Sequence, residues 1–138
     1  MPETKPTFIL DGHNILYASR LAFLEHLVDG HPGSAAREAL VQRLVRAFNA
    51  PGPEVCLYFD GSEPVTEVHS DRVRVIYSGG DGEQRADRAI LRHVSQHVAA
   101  GDVASVVVVT RDIKLARRAR KRGASVMPPA EFLEMLSV

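Results

Sequence analysis

The sequence predicts a three-layer α/β fold, with a mostly parallel central sheet of about five strands flanked by helices. Three observations predict it. Short runs rich in Val, Ile and Leu lack polar alternation, as strands buried on both faces require. Stretches with helical spacing separate most of these runs. The 138 residues, 45% hydrophobic and 25% charged, suffice for one ordinary core and not for two, so residues 1–138 are read as one domain.

The elements follow in order. Thr7 to Leu10 is a buried strand that ends in a turn at Asp11-Gly12. Tyr17, Leu21, Leu24 and Val28 recur at helical spacing and predict a helix over Ile15 to Val28, broken by the segment Asp29 to Gly33. Ser34 is the expected N-cap of a second helix, whose stripe is Ala36, Leu40, Leu44 and Phe48, with Val41 and Val45 beside it. Pro51-Gly52-Pro53 stops that helix. Val55 to Phe59 is a second strand, ending at Asp60-Gly61, and Val73 to Tyr77 a third. The segment between Asp60 and Val73 has no convincing helix and reads as a loop or irregular crossover. After a glycine loop, a helix carries Ala86, Ile90, Val94 and Val98 on one face. Val106 to Val109 is the clearest strand, followed by a basic helix from about Asp112 to Lys121. Ala124 to Met127 is a last strand, and Pro129 opens a terminal helix ending near Leu136.

Composition excludes several classes. Seventeen Lys and Arg balance seventeen Asp and Glu, so only local charge can attract a polyanion. One cysteine excludes an internal disulfide framework and a Cys-rich zinc site. No apolar run approaches membrane-spanning length, and Met1 to Thr7 has no signal-peptide core. The expectation is a cytoplasmic protein with no membrane partner.

The acids are placed informatively. Asp11 and Asp60 end strands, Asp112 lies just beyond Val106–Val109, and Asp87 sits early in the helix after the third strand. In a parallel sheet these strand ends share one edge, where open α/β folds bind ligands. Each acid has a plainer reading. Asp112 suits an N-cap, and Asp60-Gly61 and Asp11-Gly12 suit turns. Asp87 continues the apolar stripe of Ile90 and Leu91, so an unpaired carboxylate there is costly. An ion pair with Arg85 or Arg88, or a metal ion, would relieve that cost. Clustered carboxylates suit Mg²⁺ or Mn²⁺, which activate water and stabilise charge at a phosphodiester. His93 and His97, spaced i,i+4, lack an HExxH arrangement and read as surface or helix-end residues.

Seven bases lie between Arg111 and Arg122. Lys114, Arg117, Arg118 and Lys121 can share a helix face, and Arg111 and Arg85 are expected near the same cleft. That face suits the phosphates of a polyanion. For Arg120 and Arg122 a solvated helix end fits better.

Four segments together resemble the PIN-like nuclease superfamily, and within it the NYN domains of the YacP type. They are Phe8-Ile9-Leu10-Asp11-Gly12-His13-Asn14, Leu57-Tyr58-Phe59-Asp60-Gly61, Ala86-Asp87-Arg88-Ala89-Ile90 and Val107-Val108-Val109-Thr110-Arg111-Asp112. The resemblance implies a Rossmann-like sheet and metal-dependent endonucleolytic cleavage of RNA, leaving a 5′-phosphate and a 3′-hydroxyl. It implies Asp11, Asn14, Asp60, Asp87 and Asp112 as catalytic residues. Asp11, Asp87 and Asp112 would ligate Mg²⁺ or Mn²⁺, and Asn14 would orient Asp11 or a metal-bound water. His13, standing where YacP-type sequences frequently have tyrosine, would contact RNA together with Arg85, Arg111, Lys114, Arg117 and Arg118. RNA is the expected partner, with ribosome-associated mRNA among the candidates. Two alternatives share the fold: a non-catalytic RNA- or protein-binding module, and the nuclease toxin of a toxin–antitoxin pair. A haloacid-dehalogenase-type phosphatase needs Asp-X-Asp, and His13 occupies its third position. A receiver domain needs paired acids beside the first strand, and these are absent.

Overall fold

The computed structural model describes residues 5–18, 27–28, 31–61, 63–79 and 85–136. Strand β1 (Thr7–Asp11) leads straight into helix α1 (Gly12–Ala18). A two-residue pair, β2 (Leu27–Val28) and β3 (His31–Pro32), precedes helix α2 (Ser34–Ala47). Strands β4 (Glu54–Phe59), β5 (Pro64–Val68) and β6 (Val73–Ser78) follow, then helix α3 (Arg85–Ala100). Strand β7 (Val106–Val109), helix α4 (Ile113–Lys121), strand β8 (Ser125–Met127) and helix α5 (Pro129–Leu136) complete the order.

The main sheet has six strands in the order β5-β6-β4-β1-β7-β8, all parallel to their neighbours except β5, which runs antiparallel to β6. The five parallel strands have the Rossmann order 3-2-1-4-5. The chain moves outward one way from β1 through β4 to β6, then crosses to β7 on the other side. The sheet's switch point therefore lies between β1 and β7.

Strand parity sorts the core into two layers. Phe8 and Leu10 of β1, Val55, Leu57 and Phe59 of β4 and Val109 of β7 pack with α1, α2 and α5. Rings of Phe8, Phe48 and Phe132 meet there with centroids 5.4–6.0 Å apart. Ile9, Cys56, Tyr58, Val106 and Val108 face the other way, under Ala86, Ile90 and Val94 of α3 and Leu115 and Ala119 of α4.

Five expectations are corrected. Asp11-Gly12 is not a turn: α1 starts at Gly12, where an added Cβ would stand 2.5 Å from the Phe59 ring and 2.8 Å from the Tyr58 carbonyl oxygen. Only a residue without Cβ lets the helix begin so close to β4. The helix expected over Ile15 to Val28 is described as far as Ala18; Leu21 and Leu24 lie outside the described residues, and Val28 pairs with His31 in β2–β3. Ser34 is the first helical residue, and Gly33 holds the cap position without a side-chain bond. The segment after Asp60 contains β5, a sixth strand whose residues are all exposed. A half-solvated edge strand of five residues carries too weak an apolar pattern to be read as a buried one. Gly79, at φ +68°, lets the chain pass: a Cβ there would stand 2.6 Å from the Pro64 nitrogen. Val98, expected on the buried face of α3, is 47% exposed in the last turn of that helix.

Candidate active site

The parity that builds the core also gathers the acids. Asp11 follows Ile9 on the α3–α4 side of β1, Asp60 follows Tyr58 on the same side of β4, and Thr110 follows Val108 on β7. Leu10 pairs with Val109, so Asp11 and Thr110 are level at the switch point. The Thr110 hydroxyl donates to Asp11 Oδ2 at 3.0 Å and accepts the Asp112 N–H at 3.1 Å. Thr110 thereby locks the ends of β1 and β7 together. Asn14, in the first turn of α1, donates its backbone N–H to the Asp11 carboxylate. Its side-chain oxygen accepts the Arg111 N–H at 2.5 Å and pins the β7–α4 loop. Asn14 thus works as a staple between α1 and that loop.

Asp60 and Asp112 each hold a helix start. Asp60 Oδ1 accepts the Ala86 N–H of α3 at 2.7 Å, across 26 residues of sequence. Asp112 Oδ1 accepts the N–H groups of Lys114 and Leu115 at 2.8 and 3.1 Å, as an N-cap. Asp112 is therefore the N-cap that its plainer reading gave. Asp112→Ala is expected to cost about 1 kcal/mol by losing the cap, while Asp112→Ser keeps most of it. Thermal melts of the two variants check this.

Electrostatics tie the carboxylates into one group. Asp11 is only 6% exposed. Burial, with added repulsion from Asp87 and Asp112, pushes its carboxyl up to about 6, against the hydrogen bonds from Thr110 and Asn14. Asp87, half-buried above Ile90 and Leu91, is raised by burial and then by Asp112 and Asp60, while Arg118 pulls the other way. Among the described residues, no ion pair within 4.0 Å joins any of the four carboxylates to a base. Among those residues, no three His, Cys, Asp or Glu side chains form a ready-made metal-holding group.

The donor chemistry nonetheless fits a hard divalent cation. Oxygen donors gather at one rim of the sheet, Asp11 buried and Asp60 exposed, and among the described residues no base forms an ion pair with them. Mg²⁺ needs only one or two protein carboxylates and leaves its other positions to water and phosphate.

The bases expected near this rim are exposed where they are described. His13 is exposed at the start of α1, its ring 4.4 Å from that of Tyr17. Arg111 is exposed in the loop between Thr110 and Asp112. Lys114, Arg117 and Arg118 are exposed on α4, whose opposite face buries Leu115, Ala116 and Ala119. The side chain of Arg85 and the glycine loop before it lie outside the described residues. Arg122 is turned away, bonded to Ser95 and to the Arg118 carbonyl, as the solvated reading of that helix end implies. His93 is a correction. It is half-buried against Tyr58, whose hydroxyl lies 2.8 Å from its Nδ1, because α3 packs flat on β4.

Two residues escaped the sequence reading. Thr110 was visible only as part of Thr-Arg-Asp, and its role needs the β1–β7 pairing. Arg37 of α2 stands over the Phe59 ring, 5.8 Å from its centroid, beside the end of β4; an isolated base on a polar helix face carries no signal.

A 3-2-1-4-5 sheet with acids along the carboxyl edge of its strands has the architecture of an open α/β domain that takes a ligand at that edge. Residues 8–138 match the family model of the YacP-like NYN domain, and the chain belongs to that nuclease-like family. It is similar in structure to Rae1 (YacP) from Bacillus subtilis, at 25% identity over 95% of this chain and 73% of that one, with a TM-score of 0.66. The W164L mutant of that protein gives 23% identity, 95% and 74% coverage, and a TM-score of 0.68. Comparison with curated proteins gives no match. No helix among the described residues is long and apolar enough to cross a membrane.

Proposed function

We propose that the protein is a divalent-metal-dependent endoribonuclease acting in the cytoplasm. One observation carries the reading: Asp87 and Asp112 lie close enough to Asp11 to help raise its pKa, and Asp112 likewise raises that of Asp87, with no ion pair among the described residues to neutralise them. A structural cluster would be stabilised by a base in contact; this one suits a bound cation.

Asp11, Asp87 and Asp112 would hold Mg²⁺ or Mn²⁺, with Asp60 supporting the group from the end of β4 by holding the start of α3. When bound, the ion would polarise the phosphodiester and lower the pKa of water. The chain's own residues do the rest. Thr110 and Asn14 fix Asp11. Asn14 also fixes the loop that carries Arg111 and Asp112. The exposed bases of α4 draw RNA phosphates to the rim, and Arg118, nearest in effect to Asp87, borders it. RNA is the partner this charge pattern serves.

The test is cleavage of end-labelled RNA with Mn²⁺. Activity should vanish with EDTA and with Asp87→Asn. Cleavage that survives both would overturn the reading, and RNA binding without any cleavage would favour a non-catalytic module.

A further inference from the structure

A cavity opens beside the acidic rim, between the β5–β6 hairpin and the flank of α3, with a volume of about 280 Å³. That is room enough for one nucleobase. Val65 and Ile76 give it apolar wall, while Tyr58, Thr66, His93 and Gln96 give it hydrogen-bonding groups. Ser78 lies in the same wall, and its hydroxyl oxygen is covered and without a hydrogen-bond partner among the described residues. A buried hydroxyl in that state is costly. Arg92, exposed at the mouth, adds a cation for a phosphate.

Position links the cavity to the rim. Tyr58 and Asp60 share one face of the β4 chain, and Asp87, Arg92 and His93 share α3. From Asp87 to Arg92 the helix rises ~7.5 Å, roughly one nucleotide step along an extended strand. Tyr58 is a fixed wall: its hydroxyl is paired with His93 Nδ1 at 2.8 Å, and the two rings meet edge to face at 5.9 Å. In the tautomer where the phenol donates, His93 Nε2 carries the ring's proton and is a donor. Burial lowers the His93 pKa, which favours that neutral ring. The pairing of an aromatic wall with convergent polar groups is how single-stranded RNA bases are read once splayed from the stack.

We propose that this cavity is a base-reading subsite for a nucleotide of single-stranded RNA that flanks the scissile linkage, with Arg92 on its phosphate. The proposal rests on the ribonuclease reading and gives that site a source of sequence preference.

The experiment has two arms. In EDTA, the four ribonucleoside 5′-monophosphates are titrated into the protein and followed by NMR shifts of α3 and β6 amides. One nucleotide should bind preferentially, and Gln96→Ala with Arg92→Ala should weaken it about tenfold, as stacking and edge contacts of this kind suggest. Asp87→Asn should leave that binding unchanged. In the second arm, a random-sequence RNA pool is cleaved with Mn²⁺; the wild type should show a base bias at one position beside the cut, and the double variant should lose it while still cutting. Unbiased cleavage with no shifts in α3 or β6 would overturn the subsite and leave the nuclease reading standing. Nucleotide binding at α3 and β6 in a protein that never cuts RNA would support base recognition there while removing the hydrolytic reading.

Discussion

Replacing Asp11 by asparagine is expected to abolish cleavage and, at the same time, to make the metal-free protein more stable at pH 7. The loss of activity should be on the order of 10²–10³-fold, the size seen when one electrostatic contact to the reacting centre is removed. The gain in stability follows from linkage. Asp11 titrates at about 6 in the folded protein, chiefly because it is buried. In an unfolded chain an aspartate titrates at ~3.9. Between those values the folded state holds more protons, so stability falls as pH rises through the window. Below pH ~4 both states are protonated and no penalty remains. The full difference is on the order of 3 kcal/mol. Asparagine never ionises, and its oxygen can still accept from Thr110 and Asn14. Denaturant melts from pH 3 to 8 without metal should therefore converge at the acid end and diverge above pH 6, with the variant ahead. A site that is more stable without its charge is a site kept for chemistry.

Thr110→Val should do the opposite to the fold. It removes the hydroxyl that bonds Asp11 Oδ2 and leaves the Asp112 N–H unpaired. Thr110 is 3% exposed, so water cannot fully replace either bond. Leaving such partners unsatisfied costs about 1–3 kcal/mol. The hydroxyl also lowers the Asp11 pKa, so its loss raises that pKa further. Activity should fall roughly 10–100-fold, as when a group supporting a ligand is lost. The distinguishing readout is the pH profile: the acid limb of cleavage should move to higher pH in Thr110→Val. Thr110→Ser should restore both the profile and the melt. A valine variant with reduced rate and an unmoved acid limb would assign Thr110 to packing alone.

The parts of the structure that show in the sequence are those with local physics. Val106–Val109 and Val55–Phe59 read as buried strands because nothing polar interrupts them, and Asp87 read as half-buried because Ile90 and Leu91 follow it at helical spacing. The N-cap of α4 could be read from Asp112 alone. Parts set by contact across the chain did not show. Strand β5 is an edge, exposed throughout, and its residues carry no core pattern. Gly12 looked like a turn glycine, yet it is required by the nearness of Phe59, 47 positions later. Asp60 looked like a turn residue, yet it holds the start of α3. Thr110 gains its role only when β1 and β7 pair. The candidate site was legible as a set of acids on one edge; the hydrogen bonds that arrange them were not.

The most direct measurement is electron paramagnetic resonance of free Mn²⁺ during titration with the protein at neutral pH. The wild type should deplete the free-ion signal at a small whole-number stoichiometry, and Asp11→Asn and Asp87→Asn should each weaken that depletion strongly. A wild type that leaves the Mn²⁺ signal untouched, or variants that bind as tightly as it does, would contradict an acidic rim built to hold a cation.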